Sequence, residues 1–231
     1  MRKAFTLAEV LITIGVIGVV AAITIPTLMT KIQGAKFRNQ FKKSFSTLKQ
    51  ANRMSQAKYD FNFADLENFE CDNPATDNPE TNHTVCAILN GTITGLTYLG
   101  KGDDVKDSKG NTYNITPEEN GNYVSTIFLD EYYLYSLADG SLVGISTDSA
   151  AEGFIDVNGV SLPNKIVSCS DNQDTNDAWF APSPAKVPCT VPNDAKHMTD
   201  VFRIYFPRPD GKPNDVVPAT NASMYVLNTA K

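Results

Sequence analysis

A run of 20 residues without a charge, from Val10 to Met29, limits what the N-terminal part of this chain can form. A helix rises about 1.5 Å per residue, so the run would be roughly 30 Å long, the thickness of the hydrocarbon core of a bilayer. It is longer than the apolar region of an ordinary secretory signal, and no small-residue cleavage site follows it directly. No other stretch of the sequence is long and apolar enough to span, so a single membrane crossing is predicted.

The start of this run is unusual in three respects. The basic leader, residues 1–4, is very short, and Glu9 places a carboxylate at the beginning of the apolar segment. Gly18 and Pro26 then interrupt the run. Each feature has a local explanation, because acids are favourable near the positive end of a helix dipole and membrane helices tolerate glycine and proline.

Taken together, Phe5-Thr6-Leu7-Ala8-Glu9, the basic leader and the positions of Gly18 and Pro26 resemble the N-terminus of type IV pilins and type II secretion pseudopilins. The resemblance covers about residues 1 to 30. In that family a dedicated peptidase cuts before the Phe and methylates the new amino group. The resemblance therefore implies a cut between Ala4 and Phe5, with Ala4 standing where the family usually has Gly. It also implies that Glu9, Gly18 and Pro26 serve filament assembly.

The chain divides into four predicted parts: a leader (1–4), a transmembrane and assembly helix (5–29), an amphipathic helix (30–58) and a globular head (59–231). One helix from Phe5 to Lys58 would be roughly 80 Å long. Its weak points are Gly34 and Pro26, and a bend is expected at Pro26. In the amphipathic part, residues recurring at three- and four-residue spacing predict a face packed on the head: Phe37, Phe41, Phe45, Leu48 and Asn52.

The head is predicted to be built mainly from strands. Residues 60–84 are rich in Asp, Asn, Glu and Pro and predict a loop, with a short helix at 64–69, and residues 85–90 are either helical or extended. Runs of β-branched and aromatic residues predict strands at 123–129, 132–137, 141–146, 153–157, 165–169, 201–206 and 224–227. The predicted fold class is α+β, with an antiparallel sheet laid against the outer half of the long helix, as in pilins.

Four cysteines form an even set without a CxxC pair, which favours disulfides in an oxidising compartment over a metal cluster or free thiols. Three pairings are possible. Sequential neighbours bracket two polar, proline-containing loops, so the predicted bonds are Cys71–Cys86 and Cys169–Cys189.

The charge of the chain is polarised along its length. The formal net charge is −6, which argues against a general nucleic-acid surface, and we expect the phenylalanines of the basic segment to pack in a filament rather than bind DNA.

Charge counting, however, disagrees with export of the head. Two basic residues precede the span, whereas five follow it closely, and the positive-inside tendency alone would keep the C-terminal part in the cytoplasm: Lys31, Lys36, Arg38, Lys42 and Lys43. The resemblance and the even cysteine count favour export.

Calcium is the first candidate ion, because the resemblance to pseudopilins implies it: some pseudopilin heads bind calcium through acidic loops. Asp171, Asp174 and Asp177 supply hard oxygens, but their segment lacks the glycine and distal glutamate of an EF-hand loop, so a solvated polar loop is the preferred interpretation and no cofactor is expected. Asp156 and Asn158 are further, weaker candidates.

A second resemblance concerns the head. The run Ile155-Asp156-Val157-Asn158-Gly159, with Pro163-Asn164 and Asp200-Val201-Phe202, is similar to a pattern in some bacterial pilin-like proteins. The first run has a simpler explanation as a strand that ends in an Asn-Gly turn.

The sequence therefore predicts a structural protein rather than an enzyme, since it contains no GxSxG, HExxH or glycine-rich phosphate loop. The resemblance implies a subunit of a type IV pilus or type II secretion pseudopilus. Its expected partners are the prepilin peptidase, other subunits, an inner-membrane assembly platform and membrane lipid, with no nucleic acid. The N-terminus would be cytoplasmic and the head outside, first in the inner membrane and then in a surface or periplasmic filament. The alternative is a membrane-tethered binding protein or adhesin that does not polymerise.

Overall fold

The computed structural model describes residues 6–66, 70–116, 127–147, 152–170, 189–192, 198–207 and 215–229. Its first element is a single helix, α1, Leu7–Tyr59, of 53 residues. Thr6 caps its start, and Asp60, in the left-handed conformation with φ 62°, ends it. The helix continues through Pro26 and Gly34, the two positions that the sequence marks as weak.

The outer half of α1 packs on the head through the predicted face. The side chains of Phe37, Phe41, Phe45, Leu48 and Asn52 are all buried, which confirms the three- and four-residue periodicity. Phe41 stacks on Phe202 of the sheet with ring centroids 4.0 Å apart and an interplanar angle of 7°. This contact holds α1 against the sheet.

The described residues contain a six-stranded antiparallel sheet in which each strand pairs with the next along the chain. The strands are β1 (Thr97–Lys101), β2 (Tyr132–Ser136), β3 (Leu142–Ser146), β4 (Glu152–Asp156), β5 (Val201–Tyr205) and β6 (Val217–Pro218). Two short helices, α2 (Val85–Thr92) and α3 (Asn221–Asn228), and two 3₁₀ turns, Phe63–Asp65 and Leu129–Glu131, complete the described elements. The α+β class and the antiparallel sheet are therefore as predicted.

Both faces of strands β2 to β5 are buried, whereas alternate residues of β1 are exposed. One face meets the helices and carries alternate residues such as Tyr135, Ile155 and Phe202. The other face, with Leu134 and Phe154, is covered by the long connections of the head. Burial on both sides explains why β2 to β5 lack a clean alternation of apolar and polar residues.

The lack of a side chain at Gly144 makes room for an aromatic ring on the face of the sheet that carries Leu134 and Phe154. Gly144 lies opposite Phe154 in the β3–β4 ladder. A Cβ atom at Gly144 would approach the Phe154 ring to 2.1 Å, so the ring occupies the space that a side chain would need.

Three strand predictions differ from the structure. Segment 224–227 is part of α3, because Thr220 caps a helix there and Ala222 and Val226 bury one helical face. Residues 165–169 form only isolated bridges, since the backbone amide of Lys165 donates to the carboxylate of Asp200 instead of a sheet partner. In the predicted strand 123–129, the described end, 127–129, leads into a 3₁₀ turn, and its other residues lie outside the described ranges.

Other short elements also differ from expectation. Segment 85–90, for which the sequence allows either helix or strand, is helical as α2. Strands β1 and β6 were not predicted. The predicted helix 64–69 is a 3₁₀ turn, Phe63–Asp65, in its described part.

Candidate functional site

The N-terminal half of α1 is an apolar surface that none of the described residues covers. Its best 18-residue window has a mean hydropathy of 2.4 and no buried residue, so it is long and apolar enough to cross a membrane. The most exposed of its large side chains is Leu7, at 81%. The others that are at least half exposed are Leu11, Ile12, Ile14, Val16, Ile17, Val19, Val20, Ile23, Ile25, Leu28, Met29 and Ile32. A surface of this size needs either lipid or other protein against it.

Glu9 lies at the start of this surface and binds Thr6. Its carboxylate oxygen Oε2 accepts hydrogen bonds from the Thr6 backbone amide at 2.8 Å and the Thr6 hydroxyl at 2.9 Å. The Glu9 amide in turn donates to Thr6 Oγ1 at 3.3 Å, which completes a capping box. This local partner of Glu9 was not predicted, although the Thr-x-x-Glu spacing is the sequence signature of a capping box.

Polar side chains within the apolar run are satisfied inside the helix. The hydroxyls of Thr13, Thr24 and Thr27 donate to backbone carbonyls three or four residues earlier, at 2.9 Å in each case. Thr30 does the same at 3.0 Å. Since a bilayer offers no water to pair with them, these internal bonds make the segment compatible with hydrocarbon.

Gly18 and Pro26 lie on this uncovered part of the helix. A Cβ atom added at Gly18, or at Gly15, would have no neighbour within 4 Å among the described residues. The packing that the structure describes therefore does not require glycine at either position.

Basic residues just beyond the apolar segment bind the head. The Arg38 guanidinium donates to the carbonyl of Val191 at 2.7 Å, and the Lys42 ammonium donates to the carbonyl of Thr229. Lys43 pairs with Asp139 at 3.0 Å, in the turn between β2 and β3. Three of the basic residues that follow the span thus connect the helix to the head.

The head contains a pair of buried carboxyls, Asp156 at the end of β4 and Asp200 just before β5. The Tyr113 hydroxyl donates to Asp156 Oδ2 at 2.6 Å. The amides of Asn164 and Lys165 donate to the two oxygens of Asp200 at 3.0 and 2.7 Å. Burial raises the pKa of Asp156 well above its ordinary value, the charge of Asp200 raises it further, and burial also raises the pKa of Asp200.

The remaining predicted site residues divide between the described and other parts of the chain. Cys71 bonds to Cys86 and Cys169 to Cys189, the pairing that the sequence predicts. Ala4, Phe5, Asp171, Asp174 and Asp177 lie outside the described residues. Within the described ranges, no three His, Cys, Asp or Glu side chains are grouped to hold a metal.

No family model matches the chain, and no curated protein or solved structure matches it.

Proposed function

We propose that the chain is a pilin-like structural subunit that is cut by a prepilin peptidase and assembled into a type IV pilus or type II secretion pseudopilus. The observation that carries the proposal is the uncovered apolar half of α1, which continues without a break into a half that is packed on the head. A helix of this kind can lie in lipid and can also pack against copies of itself. A simple membrane tether does not need a continuous connection of this length to the head.

The contacts of the outer half support the same proposal. Phe41 is fully buried against the sheet, and Arg38, Lys42 and Lys43 each bind a different part of the head. Because the helix is held at several points, a force or packing constraint on its apolar half passes to the head. A filament subunit requires this, since the position of the helix in the filament core then fixes the position of the head on the surface.

Glu9 has two candidate roles, and its contacts suggest how to separate them. As a local group, its carboxylate stabilises the first turn through Thr6. As an assembly group, its charge pairs with the amino group that cleavage creates at Phe5 of an incoming neighbour. Glutamine at this position can still complete a capping box, so Glu9→Gln removes the charge and keeps the cap.

The matched control is Thr6→Val, which removes the capping hydroxyl and leaves the charge of Glu9. Both variants are expressed in the native host, and sheared filaments are compared with the membrane fraction. We expect both proteins in the membrane, normal filament yield from Thr6→Val and little filament from Glu9→Gln. Normal yield from Glu9→Gln would contradict neighbour pairing, and equal loss in both variants would assign the effect to the helix cap.

Cleavage is tested on the same membrane extract. Intact mass and N-terminal peptide analysis should show loss of residues 1–4 and one added methyl group on Phe5. Recovery of the full-length precursor alone, in a host with an active peptidase, would contradict processing.

A further inference from the structure

Two lysines next to the apolar segment of α1, Lys31 and Lys36, are exposed. Among the described residues, neither of them forms an ion pair or a side-chain hydrogen bond. The next three basic residues of the helix differ, because Arg38, Lys42 and Lys43 each bind the head. The described part of the head therefore leaves two ammonium groups free at the end of the apolar segment.

No carboxylate of the helix competes for these two ammonium groups. Between Glu9 and Asp60 the sequence contains no Asp or Glu. Asp139 of the head does bind α1, but its carboxylate pairs with Lys43 at 3.0 Å. The two lysines therefore present positive charge that an anionic partner outside the chain can bind.

The two lysines lie at the level of the lipid headgroups when the run that ends at Met29 fills the hydrocarbon core. A helix rises about 1.5 Å per residue, so Lys31 and Lys36 lie about 3 and 10 Å beyond Met29. The headgroup layer extends roughly 5 to 8 Å beyond the core on each side. Because the Cα–Cβ bonds of a helix lean toward its N-terminus, the Lys36 side chain leans back toward this layer. Both ammonium groups can therefore reach lipid phosphates.

The head approaches this part of the helix from one side. A cavity between α1 and the head is lined by Thr30 and Gly34 of the helix and by Met198 and Val226 of the head. Other residues of the helix at the same level are exposed, including Ile32 at 59%. Lipid headgroups can therefore contact the helix beside the head at the level of both lysines.

We propose that Lys31 and Lys36 bind the headgroups of anionic phospholipids in the leaflet on the head side of the membrane. Each lysine close to an anionic membrane surface raises binding by about fivefold. Because Arg38, Lys42 and Lys43 hold the helix to the head a few residues further on, this contact also fixes the distance between the head and the bilayer. The proposal rests on the membrane-spanning helix of the proposed function, but it requires no filament and applies to either orientation of the chain.

The test is native mass spectrometry of the full-length chain in a non-ionic detergent, with phosphatidylglycerol or phosphatidylcholine added in equal amounts. Phosphatidylglycerol carries a net negative charge and phosphatidylcholine is zwitterionic, so the ratio of the two retained lipids reports on the charge of the headgroup. We expect the wild type to retain at least about fivefold more phosphatidylglycerol than phosphatidylcholine. The double variant Lys31→Gln/Lys36→Gln should retain both lipids equally. Lys31→Arg/Lys36→Arg should keep the wild-type preference, because it keeps the charge.

The matched control is Arg53→Gln/Lys58→Gln, which should keep the wild-type preference. It removes two exposed basic residues of the same helix that lie roughly 35 to 45 Å beyond Met29, far from the headgroups. Equal retention of the two lipids by the wild type would overturn the proposal. An unchanged preference in the double lysine-to-glutamine variant, or an equal loss in the control, would overturn it too.

A salt series on the wild type keeps the proposal testable if the double lysine-to-glutamine variant does not fold. Between about 0.1 and about 1 M ammonium acetate the Debye length falls from about 10 to about 3 Å, so the preference for phosphatidylglycerol should fall several-fold. A preference that salt does not change would contradict binding through charge. None of these measurements uses filaments, so their outcome is independent of the filament test.

Discussion

At the scale of single residues, the side chains in the apolar half of α1 do not pack against the described part of the head. Gly18 has open space around it, and Leu7 is 81% exposed. The hydroxyls of Thr13 and Thr24 donate to the backbone of their own helix. Close approach of helices in membranes depends on small residues such as glycine. Gly18 does not pack against the described head, so in a filament a neighbouring helix would pack closely at this position.

The substitution Gly18→Leu tests whether a neighbouring helix packs closely at this position. Since no described atom lies within 4 Å of an added Cβ, the variant should fold, insert and be processed normally. In a filament, the larger side chain would prevent close approach of a neighbour, so the yield of sheared filaments should fall several-fold. Gly18→Ala, which adds one methyl group, should give an intermediate yield. Wild-type yield from Gly18→Leu would show that no neighbour packs closely at this position.

Residue patterns predicted the carboxyl pair of the head only in part. The sequence offers Asp156 and Asn158 only as weak candidate calcium ligands, in a run that a strand ending in an Asn-Gly turn explains as well. The second resemblance includes Asp200 in the same pattern, but the sequence does not show that these side chains are in contact, because Asp200 is far away along the chain. The two aspartates meet only when β4 pairs with β5, which places Asp156 opposite Val201, the residue that follows Asp200.

At the scale of elements, α1 was predictable and several short elements were not. Its apolar run and the spacing from Phe37 to Asn52 extend over many turns, so local pattern and tertiary packing agree. Helix α3 is only eight residues long, and its Met-Tyr-Val-Leu run suits a strand as well as a helix. The Thr220 cap and the burial of one helical face stabilise the helix instead of a strand. This burial depends on tertiary contacts, which the local sequence does not specify.

The contact between α1 and the sheet should contribute strongly to the stability of the head. Phe41 is fully buried and stacks on Phe202, so Phe41→Ala should lower the free energy of unfolding by about 3–5 kcal/mol. Phe128→Ala is the matched control, because the Phe128 side chain is 63% exposed and its loss should cost little. Denaturant unfolding of the full chain in detergent measures both. Similar losses for the two variants would contradict this role of the helix contact.

At the scale of the whole molecule, two disulfides close separate parts of the head. Cys71–Cys86 closes a separation of 15 residues and ends in α2, and Cys169–Cys189 closes one of 20 residues. Sequential pairing was predictable because each pair brackets one polar loop. The order of the six strands along the sheet was not, because pairing between strands depends on contacts that the sequence pattern does not specify.

Replacing both cysteines of either bond by alanine should lower the free energy of unfolding by about 3 kcal/mol in the chain-entropy model. Denaturant unfolding of the two double variants, compared with the oxidised wild type, gives the values. Non-reduced peptide mapping of the wild type serves as the control for the pairing. A peptide that links Cys71 to Cys169 or Cys189 would contradict it.

The most direct test of the proposed function is electron cryomicroscopy of filaments sheared from the native host. The proposal predicts filaments that contain this chain, with residues 7–29 of many copies packed helix against helix in the core and the heads on the surface. Filaments that lack the chain, together with its recovery only as a dispersed membrane protein, would contradict the proposal and favour the tethered binding protein.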